Sequence, residues 1–158
     1  MVTVTVVLRW EAAHRLQKVD SKCNSLHGHS YRADITVGCH CLSEAGMVMD
    51  FGELKELLWA HVVKPWDHAI LLWEEDVELH SMAIHMGNKL AIFPDDVTAE
   101  CLAETLLSKC KGRLLAYMDK TATGGSGLFV SRVKVFETDS CWAEAVNDGI
   151  SQGRPVTP

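Results

Sequence analysis

Cys23, His27 and His29 place one thiol and two imidazoles within seven residues, in the run Cys-Asn-Ser-Leu-His-Gly-His. Side chains two apart on a β-strand share a face, so His27 and His29 point the same way at the mouth of a strand. Gly28 between them adds no bulk on the opposite face. Two imidazoles on one face are two legs of a metal site. Imidazole suits zinc, and a catalytic zinc takes three protein ligands and leaves a fourth position open. His14 supplies the third leg, because it ends an alternating segment and falls on that segment's apolar face. The ordinary alternative for a His-x-His pair is surface decoration. Cys23 has two readings on spacing alone: a base whose thiolate the metal favours, or a fourth ligand that closes a structural site.

Other groups could join them. Asp67-His68 pairs a carboxylate with an imidazole that passes protons near neutral pH, although most such pairs are surface features. Glu137 shares a strand face with Val133 and Val135, where a carboxylate needs a partner. Arg15, Lys18, Lys22 and Arg32 could receive a phosphorylated ligand, or form a solvated basic stretch.

The elements that must hold these residues follow from periodicity. Val2, Val4, Val6, Leu8 and Trp10 alternate with Thr3, Thr5 and Arg9, and the phase carries on through Ala12 to His14. His29, Tyr31, Ala33, Ile35 and Val37 alternate likewise, which predicts a second, antiparallel strand over residues 29–40. Asp50 with Glu53 predicts a helix start, and Pro65 its stop, with Phe51, Leu54, Leu57, Leu58, His61 and Val62 as its apolar stripe. Residues 74–87 predict a short helix with Leu79, Met82, Ala83 and Met86 inward, and 89–93 an extended piece. Thr98 caps a helix that Gly112 ends. Residues 113–118 and 128–138 predict two strands around a glycine-rich loop. The order β-β-α-α-β-β predicts an α+β domain over residues 1–146, an antiparallel sheet with helices on one face, and a flexible tail over 147–158. A four-stranded sheet of this kind has two free edges that association between subunits would cover.

The chain has 158 residues, enough for one well-buried domain, and its net charge of −6 argues against nucleic acid or an anionic membrane as partner. No basic leader precedes an apolar run, and no apolar run approaches the ~20 residues of a membrane span. The six cysteines therefore predict reduced thiols in a cytoplasmic protein rather than disulfides.

Six motifs in order then carry a resemblance: Trp10-Glu11-Ala12-Ala13-His14-Arg15-Leu16, Cys23-x-x-x-His27-Gly28-His29, Gly46-Met47-Val48-Met49-Asp50-Phe51, Asp67-His68, Thr98-Ala99-Glu100 and Glu137-Thr138. Together they resemble the 6-pyruvoyltetrahydropterin synthase family. The Cys-x-x-x-His-Gly-His spacing is similar to its 6-carboxytetrahydropterin synthase branch, which serves queuosine and other deazapurine biosynthesis. The resemblance implies the tunnelling fold, with subunit sheets joined into a barrel and a trimer-based hexamer. It implies zinc on His14, His27 and His29, Cys23 as the proton-abstracting base, and Asp67-His68 working with it from a neighbouring subunit. It also implies Glu137 as the pterin anchor, with Thr98 beside the ring and Arg15 among the substrate contacts. The substrate it implies is 7,8-dihydroneopterin triphosphate, and the products 6-carboxytetrahydropterin, acetaldehyde and triphosphate. Formation of 6-pyruvoyltetrahydropterin on the same site is the alternative within the family. A non-catalytic zinc module is the alternative outside it.

Overall fold

The computed structural model of the protein describes residues 1–121 and 127–148. One mixed sheet organises the chain, with strand order β4-β3-β1-β2-β5-β6. β1 (Val2–His14) and β2 (His27–Cys39) pair antiparallel along their whole length, from Val2 opposite Cys39 to His14 opposite His27. Their alternation is that of the sequence. Val6, Leu8, Trp10, Ala12 and His14 are buried on one strand, and Tyr31, Ala33, Ile35 and Val37 on the other. The Trp10 and Tyr31 rings stack across the pair with centroids 5.1 Å apart. β5 (Phe129–Thr138) adds antiparallel to β2, and β6 (Cys141–Val146) to β5.

α1 (Phe51–Leu58) starts where Asp50 accepts the Glu53 N–H at 2.9 Å. It widens into a π-helical turn over Trp59–Val63. Leu54, Leu58, Val62 and Val63 face the core. Phe51 and His61, expected on that stripe, are exposed. β3 (Ala69–Trp73), α2 (Val77–His85) and β4 (Leu90–Phe93) follow. Asp76 caps α2 through the Leu79 N–H, and Gly87, at φ +70°, takes the left-handed position past its end. Leu79 and Ala83 are buried, whereas Met82 and Met86, expected inward, are exposed.

α3 (Ala99–Thr121) packs on β5 and β6, its first turn capped by Thr98 Oγ1 on the Cys101 N–H at 3.2 Å. Here the sequence expectation fails in one place. Residues 113–118 continue the helix and form no strand, and Gly112 does not end it. Leu114 is buried and Tyr117 and Met118 pack against the core, a helical spacing that outweighs the roughly 1 kcal/mol cost of one internal glycine. β3 was not expected, and the extended piece expected over 89–93 is β4. β3 joins β1 in parallel at Ala12–Ala69 and Ala13–Ile70, and β4 joins β3 in parallel. The four expected antiparallel partners thus become a six-stranded mixed sheet, with β6 taking the place assigned to residues 113–118. The expected loop over 119–127 is helical to Thr121, and residues 122–126 lie outside the described residues. So do residues 149–158 of the expected tail.

Candidate metal and catalytic site

The end of the β1–β2 pair builds the site. Because His14 is opposite His27 in the register, and His29 shares the His27 face, three imidazoles converge. One ring nitrogen from each lies within 4.8 Å of the others. Ring centroids are 4.6 Å apart for His14 and His27, 5.1 Å for His14 and His29, and 4.9 Å for His27 and His29.

Main-chain carbonyls set two of these rings. His14 Nδ1 donates to the Val97 carbonyl at 2.7 Å, and His27 Nδ1 to the Ser25 carbonyl at 2.7 Å. Each bond leaves the Nε2 lone pair free, the arrangement that orients a metal-ligating imidazole. His14 Nε2 and His29 Nε2 are buried with no hydrogen-bond partner. Burial pushes the His14 imidazole down to about 4, helped by the two neighbouring imidazoles and opposed by the Val97 carbonyl. Burial also lowers His29, with His27 adding to the effect and the Glu137 main chain opposing it. Neutral, inward-facing, unpartnered imidazoles are the donor set a divalent transition metal requires, so the residues fit one.

Glu137 completes the cluster. It falls at an irregularity in the β5–β6 ladder, between Phe136 opposite Trp142 and Thr138 opposite Cys141. A bulge of this kind re-aims a side chain, here onto the imidazole face. Its Oε1 is buried without a hydrogen bond and stands 3.9 Å from His14 Nε2. That is too long for a hydrogen bond, and with His14 neutral near pH 7 it is no ion pair either. Desolvation raises the Glu137 carboxyl, Glu100 adds to the rise, and His27 opposes it. An unsatisfied buried carboxylate oxygen is expensive, and a ligand with paired N–H donors would satisfy it.

Cys23 sits in a short helical turn, Lys22–Asn24, on the loop between the strands, half-buried. Its carbonyl accepts the Leu16 N–H at 2.8 Å, which folds the loop back onto the end of β1. The three-imidazole cluster does not include its thiol, so the geometry favours an open three-ligand site over a closed four-ligand one. Thr98 follows Val97 and caps α3 beside His14.

Asp67 and His68 are not brought to the cluster. His68 is largely exposed, at φ +57°, and Asp67 Oδ2 lies 3.1 Å from its Nδ1. Asp67 Oδ1 accepts the Glu11 N–H, and the cleft beside His68 is lined by Glu11, Ala12, Ala13, Gly28, His29 and Ser30. Of these, Glu11, Ala13, Gly28 and Ser30 alternate away from the imidazole face, and Ala12 and His29 belong to it. The basic residues are mostly committed. Arg15, expected at substrate, donates from Nε and Nη2 to Asp76 at 2.7 and 2.6 Å and again to Glu78. It fastens the end of β1 to α2, and its charge is already compensated. Lys18 pairs with Asp95, and Arg32 with Asp34. The Val97 carbonyl escaped the sequence because any residue could provide it. Asp76 and Asp96, both buried, escaped because no periodicity marks a buried aspartate.

The model of the 6-pyruvoyl tetrahydropterin synthase family matches residues 3–148. A protein of Rickettsia bellii named 6-carboxy-5,6,7,8-tetrahydropterin synthase is 32% identical over 145 residues, 91% of this chain and 99% of that one. One of the same name from Aquifex aeolicus is 34% identical over 131 residues, 70% of this chain and 80% of its own. Among solved structures, an uncharacterized protein from Wolinella succinogenes superposes with a TM-score of 0.71 at 17% identity, covering 94% of this chain and all of that one. The 6-pyruvoyl tetrahydropterin synthase of Caenorhabditis elegans superposes with a TM-score of 0.62 at 24% identity, covering 92% of this chain and 94% of that one.

Proposed function

The chain belongs to the 6-pyruvoyl tetrahydropterin synthase family of enzymes and has its tunnelling fold, and from that premise we propose that it is a zinc-dependent lyase forming 6-carboxy-5,6,7,8-tetrahydropterin, acetaldehyde and triphosphate from 7,8-dihydroneopterin triphosphate and water. The observation that carries the proposal is the convergence of three imidazoles, with His14 Nε2 and His29 Nε2 buried and unpartnered, beside the buried, unpartnered Oε1 of Glu137. The relatives named for the 6-carboxy product favour that product over the 6-pyruvoyl one.

His14, His27 and His29 hold the zinc. Bound there, it supplies Lewis-acid stabilisation for negative charge developing on substrate oxygens. Glu137 accepts two parallel hydrogen bonds from the pterin 2-amino group and ring N–H, which satisfies its orphaned oxygen and orients the ring. Thr98, at the start of α3, borders the ring. Cys23 takes a proton from the substrate side chain. His68 passes protons, with Asp67 at 3.1 Å from its Nδ1 fixing the tautomer. His68 is largely exposed and stands outside the imidazole cluster of its own chain, so it serves the site of a neighbouring subunit. The edge strands β4 and β6 have no strand on their outer sides among the described residues, which supports assembly through sheet edges into a trimer-based hexamer. Among the described residues no helix is long and apolar enough to cross a membrane, and the enzyme works in the cytoplasm on a small pterin, supplying queuosine or a related deazapurine.

Incubation of zinc-reconstituted protein with 7,8-dihydroneopterin triphosphate, followed by mass analysis of the pterin, tests the proposal. A 6-carboxytetrahydropterin product supports it. A 6-pyruvoyl product moves the chain to the sister activity, and an unchanged substrate removes the proposal.

A further inference from the structure

We propose that Asp96 is a positioning residue for the Cys23 loop, acting through main-chain contacts. The proposal rests on the reading of Cys23 as the base. The Asp96 carboxylate is buried, yet both of its oxygens are used. Oδ1 accepts the Gln17 N–H at 3.1 Å and Oδ2 the Lys18 N–H at 2.8 Å. Those two amides are the third and fourth past His14, where the chain leaves β1 for the loop that carries Cys23. The Leu16 N–H to Cys23 carbonyl bond closes that loop, so the point gripped by Asp96 adjoins the closure.

The next residue grips the other element. The Val97 carbonyl takes the His14 Nδ1–H at 2.7 Å. One dipeptide ahead of α3 thus holds both the imidazole that faces the site and the main chain that leads to the thiol. The three imidazoles stand on paired strands, whose register fixes their main chain. The Cys23 loop has no strand partner, and its placement depends on such contacts. Asp76 adds a second grip through Arg15 and the Gln17 side chain, at 3.2 Å from Nε2. It also caps α2, so its replacement would damage a helix as well. Asp96 is the cleaner probe, because Thr98 caps α3. Misplacement of a reacting group by about 1 Å costs on the order of 100-fold in rate.

The test compares wild type, Asp96→Ala and Asp96→Asn as zinc-reconstituted full-length proteins. Asn keeps one carbonyl acceptor, so it restores one of the two grips. Three quantities are measured: bound zinc, kcat and KM, and amide hydrogen exchange across residues 16–25. For Asp96→Ala we expect zinc unchanged, KM within about threefold, kcat down by about 10- to 100-fold, and loop exchange at least about tenfold faster. Asp96→Asn falls between. A folded, zinc-loaded Asp96→Ala with wild-type exchange and wild-type kcat overturns the proposal, as does a loss that appears only as KM or only as lost zinc. If Asp96→Ala does not fold, Asp96→Asn decides alone: lower kcat with faster loop exchange supports the proposal, and wild-type values overturn it. Exchange is read without substrate. Faster exchange in an enzyme with no pterin activity in any variant would therefore sink the functional reading and leave the grip standing.

Discussion

Acid should unfold the metal-free protein through His14. This imidazole is 1% exposed, and burial holds it at about 4 against 6.5 in the unfolded chain. The folded state therefore favours the neutral ring. Stability from this source is fully present above pH 6.5 and is lost as pH falls from there through about 4. The whole shift is worth about 3 kcal/mol at 1.36 kcal/mol per pKa unit. Between pH 7.5 and pH 5 the unfolded ring takes up its proton and the folded one does not, which removes about 2 kcal/mol of this. With a urea slope of about 2 kcal/mol/M for a chain of this size, the unfolding midpoint should fall by about 1 M from this group alone. His29, lowered in the same direction, adds to the total. The assay is urea denaturation of chelator-treated protein at pH 7.5 and pH 5, for wild type and His14→Gln. Other groups act in both proteins and cancel in the comparison. Wild type should lose about 2 kcal/mol more than the variant on acidification. Equal losses would mean that the folded site accommodates a charged His14, and the argument that the cluster is held neutral for a metal would fail.

Three further outcomes follow from the same geometry. His27→Ala leaves two imidazoles, so metal analysis after dialysis should find well below one zinc per chain; a full equivalent would remove His27 from the ligand set. Inactive Cys23→Ala and His68→Ala chains, unfolded together and refolded, should regain part of the activity if sites are shared between subunits. No recovery in mixed oligomers, identified by native mass spectrometry, would mean that each chain builds its own site. A Cβ at Gly38 would lie 2.8 Å from Phe129 Cζ and 3.2 Å from Thr3 Cγ2, so Gly38→Ala should cost about 1–3 kcal/mol in urea unfolding; a neutral result would show that the Phe129 ring swings aside.

The parts legible in the sequence were those with a period or a local cap. Alternation from Val6 to His14 and from His29 to Val37 marks strands with one buried face, and it carries the three histidines onto that face. Asp50 and Thr98 mark helix starts because a side-chain oxygen meets a free N–H within three residues. β3 was illegible because Ala69–Trp73 is a continuous apolar run, buried from Ala69 to Leu72, and such a run has no alternation to read. β6 was illegible because Cys141–Val146 is an edge strand, mostly exposed, whose place depends on β5. Gly112 misled because it sits on the exposed side of α3, where a missing side chain interrupts nothing. At the site, the side-chain donors were legible and their restraints were not. The Val97 carbonyl and the Asp96 and Asp76 carboxylates reach His14, Gln17, Lys18 and Arg15 across some sixty to eighty residues of chain.

Acetaldehyde is the product that separates carbon–carbon cleavage from every simpler loss of triphosphate, so its yield decides whether the zinc site and Cys23 carry out that cleavage. Zinc-reconstituted protein would be given 7,8-dihydroneopterin triphosphate, with acetaldehyde and consumed substrate counted together. One acetaldehyde per substrate consumed is expected, none after zinc is removed, and none from Cys23→Ala that still holds its zinc. Acetaldehyde released at the wild-type rate by zinc-loaded Cys23→Ala, or by metal-free protein, would contradict that expectation.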